Sequence, residues 1–216
     1  MKYRSSRLEE TRTSVLRAIR DPGNQAAWNR FFDLYAGYLF SLARRSGLLD
    51  ADSDDVVQTV LVEIAGKMRD FTYDRSKGRF RGWLSTCARY RINDARTRLL
   101  RNRSRETGGP AGAFTGTAFM DNLIDGREDA FDRLAEEEWQ ALVMGLALEK
   151  TRARVALKAF ELFHAYVIEE WPVARVMTTY GVSRDVVYQA KRRVGKVFAE
   201  AVIEARREAE EPGGGE

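Results

Sequence analysis

The chain reads as all-α: two small helical domains joined by a flexible linker, the second containing a helix-turn-helix. Three observations predict this. Apolar residues recur at three- and four-residue spacing, and strand-like alternation is scarce. Only four prolines occur in 216 residues, so long stretches lack helix breakers. Between the helical regions, Gly108, Gly109, Pro110, Gly112 and Gly116 fall in a run without apolar period, as a linker does. The expected divisions are a domain over 1–105, an acidic linker over 106–130, a domain over 131–211 and a disordered tail over 212–216.

Each element has its own signal. Residues 1–22 offer a short lead carrying Val15, Leu16 and Ile19, stopped by Asp21-Pro22-Gly23. A helix is predicted from about Gln25 to Arg45, with Trp28, Phe31, Phe32, Tyr35, Leu39 and Leu42 at helical spacing and Gly47 at its end. A second is predicted to start near Asp52-Ser53, whose side chains suit a cap, with the stripe Val57, Val60, Leu61, Ile64 and Met68. A third spans about Phe80 to Leu100, burying Leu84, Cys87, Ala88, Ile92, Ala95 and Leu99. Arg89, Asn93 and Arg96 fall at i, i+4, i+7 and are expected on a separate polar face with Tyr90 and Thr97. Beyond the linker, helices are predicted over roughly 131–148 (Ala135, Trp139, Leu142, Val143, Leu146) and 152–170 (Val155, Ala159, Phe160, Phe163, Val167).

Charge is distributed unevenly. The formal net charge is +4. Yet Phe71–Arg105 holds eleven cationic side chains against Asp74 and Asp94, with Phe71, Tyr73, Phe80, Trp83 and Tyr90 among them. Cations neutralise phosphates and aromatic faces hold unstacked bases, so this mixture suits nucleic acid; alone, it suits a solvated basic helix as well. The segment Glu106–Glu138 reverses the sign. Cys87 is the only cysteine and His164 the only histidine, so neither a disulfide nor a cysteine or multi-histidine metal site is expected. No cofactor and no metal is expected. The first twenty residues lack a signal-peptide core, and no stretch reaches membrane-span length, so a cytoplasmic protein without membrane insertion is expected.

Pro172–Phe198 has the layout of a helix-turn-helix. Val173, Val176 and Met177 form the apolar face of a short helix, Tyr180-Gly181-Val182 the turn, and Ser183 the cap of a second helix buried through Val187, Ala190, Val194 and Val197. Ser183, Arg184, Asp185, Tyr188, Gln189, Lys191 and Arg192 are left outside. Arg184 and Gln189 are types that read base edges in the major groove; Lys191 and Arg192 more often hold phosphates.

Two basic helical modules in this order, joined by an acidic linker, resemble the two-domain, extracytoplasmic-function (ECF) type of bacterial RNA polymerase sigma factor. Ala27-Trp28-Asn29-Arg30-Phe31-Phe32-Asp33-Leu34-Tyr35 resembles the family's opening helix. Asp54-Asp55-Val56-Val57-Gln58-Thr59-Val60-Leu61 resembles its polymerase-clamp-binding helix, and Phe80-Arg81-Gly82-Trp83-Leu84 with Ala88-Arg89 and Asp94 its promoter-melting helix. The chain departs from the common pattern at Val187–Val194, where most members carry a Ser-Arg-Leu run.

The resemblance implies a protein that binds polymerase core through its clamp and flap, recognises the −10 and −35 promoter elements and starts DNA-templated transcription. It assigns core binding to Asp54, Asp55, Gln58 and Glu63. It assigns capture of the −10 strand to Lys77, Arg79, Arg81, Trp83, Arg89, Tyr90, Asn93 and Arg96, and −35 recognition to the exposed set of the second module. Trp83 suits a core position equally well. An anti-sigma factor is a further partner of such proteins. The alternatives are a sigma-like regulator or helix-turn-helix factor that acts without melting promoters, and an enzyme using Asp52, Asp54, Asp55 and Glu63 on a metal. No nucleophile–base pair or phosphate-cradling loop accompanies those carboxylates, so no enzyme is expected.

Overall fold

The computed structural model describes residues 18–21, 23–68, 80–107 and 128–210, and within these every side chain but those of 68, 103–107, 128–129 and 210. The described residues hold seven α-helices and no strand. The chain divides into two compact units, Met1–Gln140 with Ala209–Glu216, and Ala141–Glu208. Most of the expected lead, the linker interior and the expected tail lie outside the described residues.

The first unit is built on α1 (Gln25–Arg45), α2 (Asp50–Met68) and α3 (Phe80–Thr107), with the opening part of α4 (Glu128–Arg152). Asn24 caps α1 by accepting the Ala27 N–H at 3.1 Å. Gly47, at φ 94°, ends that helix and turns the chain, so that Leu48 enters the core at 1% exposure. Arg44 fixes the corner: it donates to the Leu48 carbonyl and pairs with Asp50 at 2.6 Å.

Helix α2 therefore begins at Asp50, ahead of the expected Asp52-Ser53 start. Ser53 is buried, and its hydroxyl donates to the Leu49 carbonyl at 2.8 Å and does not cap a free amide. Asp50 and Asp52 still occupy the first turn, where the helix dipole favours carboxylates.

The core joins Phe31, Tyr35, Leu39 and Leu42 of α1 to Val57, Val60 and Ile64 of α2 and to Phe80, Leu84, Ala88 and Ile92 of α3. Each valine, leucine, isoleucine or phenylalanine among these contributes about 1.5–3 kcal/mol on burial. The Phe31, Tyr35 and Phe80 rings meet at 4.8–6.1 Å between centroids. The expected stripes are shifted slightly: Phe32 stands 49% exposed, Leu61 is half-buried, and Val56 goes inside.

The second unit contains the rest of α4, α5 (Leu157–Phe163), a π-helical turn (His164–Ile168), α6 (Val173–Tyr180) and α7 (Arg184–Glu210). The periodicity predicts one helix over 152–170. Instead α4 continues to Arg152, and Ala156 takes an extended conformation before α5 starts. The π turn then closes with the Glu169 N–H on the His164 carbonyl at 2.9 Å. Glu170, at φ 54°, ends the run as the Trp171 N–H bonds the Ala165 carbonyl.

Leu162, Ala165, Val176, Val187 and Ala190 form the core that joins these short elements, with Tyr166, Trp171, Val173, Met177, Tyr180 and Val182 packed around it. Gly181, at φ 63° and ψ 42°, ends α6, and three residues, Gly181–Ser183, lead to α7. Arg154 clasps Glu204 by two hydrogen bonds and Lys150 pairs with Glu208 at 2.7 Å.

Candidate nucleic-acid interface

The surface of α3 begins at Phe80; Lys77 and Arg79 lie outside the described residues. Tyr90 is 63% exposed, and Asn93, Thr97 and Arg101 follow it outward at three- and four-residue steps. Arg89 is half-buried beside this row, and Trp83 is half-buried with its ring 5.5 Å from Phe80. Arg81 pairs with Glu136 at 2.7 Å, its guanidinium 5.7 Å from the Trp139 ring centroid. The Tyr90 row is the part of α3 best placed to meet a polyanion. Arg101 belongs to it although the sequence reading did not single it out; counting on from Tyr90 by helical steps finds it.

Arg96 corrects the expected polar face. It is 3% exposed, and burial lowers its pKa. Leu84, Ala88, Ile92 and Arg96 are each four residues apart, so Arg96 continues the buried ridge and does not join Asn93 outside. Arg91, on the same helix, is held by Glu63 at 2.5 Å and Asp94 at 2.6 Å, and the Glu63 hydrogen bond raises its pKa. Cys87 lies half-buried nearby; burial pushes its thiol pKa up.

On α2, Asp54, Asp55 and Gln58 are exposed, with Asp55 only loosely paired to Arg98 at 3.9 Å. Glu63, assigned to the same set, is instead committed to Arg91. Its place is taken by Val62, 71% exposed and aligned with Asp55 and Gln58. A valine outside the apolar stripe was the available signal. The row offers two carboxylates, an amide and an apolar side chain to a basic partner.

In the second unit, Ser183, Arg184, Asp185, Tyr188, Gln189, Lys191 and Arg192 are all exposed, while Val187, Ala190 and Val194 are buried. The Ser183 carbonyl accepts the Val187 N–H at 3.3 Å. Asp185, Tyr188, Gln189, Arg192 and Arg193 line a groove of about 460 Å³. Behind it, the Tyr166 ring lies 5.9 Å from that of Tyr188 and 5.4 Å from the Lys191 ammonium. The Arg175 guanidinium stacks 3.6 Å from the Trp171 ring centroid. Tyr166, Trp171 and Arg175 had no local signal, since their partners are set by the packing of separate elements.

Among the described residues, no cluster of three or more His, Cys, Asp or Glu could hold a metal ion, and no helix is long and apolar enough to cross a membrane.

Residues 31–105 match the family model of Sigma-70 region 2. No curated protein and no solved structure matches the chain. The matched stretch takes in α1 from Phe31, all of α2, and α3 as far as Arg105, so both exposed rows of the first unit fall inside it. Over these helices the chain is similar to Sigma-70 region 2.

Proposed function

We propose that the chain is an ECF-type sigma factor that binds RNA polymerase core, recognises −10 and −35 elements and opens the promoter, working in the cytoplasm. The observation that carries this reading is the Sigma-70 region 2 match over the helices that present both exposed rows. The α2 row, Asp54, Asp55, Gln58 and Val62, docks on a basic helix of the polymerase clamp. Glu63 acts one step back, holding Arg91 and tying α2 to α3. On α3, Tyr90, Asn93 and Arg101 take the nontemplate strand, with Arg81, Trp83 and Arg89 beside them. Opening a duplex requires a place for an unstacked base, and an exposed tyrosine among amide and cationic groups supplies one.

The second unit supplies the upstream grip. Helices α6 and α7 with the turn Gly181–Ser183 act as a helix-turn-helix, and the first turns of α7 enter the major groove. Arg184 and Gln189 read base edges; Ser183, Lys191 and Arg192 hold phosphates; Asp185 and Tyr188 shape the groove between them. Such a protein is open to control by an anti-sigma factor covering either surface.

Combining the chain with sigma-free polymerase core and sequencing the 5′ ends of the transcripts tests the reading. Start sites that appear only with the chain, behind a shared upstream and −10 sequence, are expected. Binding to upstream DNA without new start sites would favour a helix-turn-helix regulator instead. No binding to core would remove the proposal.

A further inference from the structure

We propose that the opening of α4, residues 131–140, is an acidic latch that withholds Arg81 from nucleic acid in the free chain. This rests on the reading that α3 meets the promoter strand. All the contacts lie within the first unit. Trp139 is fully buried, stacked on Tyr35 at 6.3 Å and edge-on to Tyr38 at 5.3 Å. That anchor brings three successive carboxylates onto two arginines. Glu136 pairs with Arg81 at 2.7 Å, and Glu137 and Glu138 each bond Arg45 at 2.7 Å. Arg81 is thus held between a carboxylate and an indole face.

A carboxylate and a phosphate use the same guanidinium donors, so Glu136 and a DNA backbone compete for one site. The latch is also built to let go. The Trp139 indole N–H is buried and makes no hydrogen bond among the described residues. Release returns that donor to water. A wholly apolar anchor would have no such incentive to open.

The test compares the full-length chain carrying Glu136→Gln with one carrying Glu149→Gln. Glu149 is exposed on the same helix, so both variants change the net charge equally. Binding to a fluorescein-labelled oligothymidylate is followed by anisotropy. Glu136→Gln is expected to bind about threefold tighter, or more, than Glu149→Gln, and adding Arg81→Ala should erase the difference. Equal affinity of the two variants, or a gain that survives Arg81→Ala, overturns the latch. Mapping of transcript starts with polymerase core separates the two levels. Correct starts with equal affinities sink the latch alone, whereas absent starts sink the sigma reading and the latch with it.

Discussion

Arg96 and Tyr90 sit six residues apart on α3 and have opposite fates, one 3% and the other 63% exposed. The aliphatic stem of an arginine can fill a core position, so truncation there removes packing as well as charge. Arg96→Ala is expected to destabilise the fold by about 2 kcal/mol, against less than about 0.5 for Tyr90→Ala, both read by urea denaturation. Tyr90→Ala should instead lower permanganate reactivity of promoter thymines in the polymerase-bound complex. The Glu63–Arg91 pair is partly buried on both sides. A double-mutant cycle should give a coupling of about 0.5–1 kcal/mol, and Gln58→Ala should weaken binding to polymerase core more than Glu63→Gln does. The sequence could place Arg96 near a face but not choose its side. At the seventh position the polar and apolar rows have drifted together, and packing against α2 decides between them.

At the level of elements, the turn into α7 depends on one backbone conformation. Gly181 stands at φ 63° with nothing within 4 Å of where a Cβ would sit. A substitution there meets no steric block, so any loss comes from the left-handed backbone alone. Gly181→Ala is expected to lower stability by about 1 kcal/mol, whereas Gly195→Ala, inside α7 with its nearest neighbour 3.8 Å away, should raise it by about 0.5–1 kcal/mol, both measured by thermal denaturation. This turn was legible because Pro, Gly and Ser act locally. Helices α1, α2, α3 and α7 were legible because each repeats an apolar stripe for several turns. The break at Ala156 and the π turn were not. Val155, Ala159, Phe160 and Phe163 keep helical spacing through that stretch, and the interruption arises from how Leu162, Ala165 and Val187 share one core.

For the molecule as a whole, the first unit is completed by residues from beyond position 127. Trp139 fills a space bounded by Tyr35 and Tyr38, about a hundred positions earlier in the chain. Trp139→Ala should cost the first unit about 3 kcal/mol or more, seen as faster amide exchange in α1 and α3. No periodicity announces such a partnership, so the sequence assigned this tryptophan to the second domain's stripe.

The lone sulfhydryl on α3 offers a separate handle on that unit. Because burial raises the pKa of the Cys87 thiol in the folded chain, folding favours its protonated form, and the associated stability fades as the solution turns alkaline past the usual thiol range. Alkylating reagents attack the anion. The rate at which iodoacetamide consumes Cys87 in the unaltered protein therefore reports how far the packing around α3 shields a half-buried thiol.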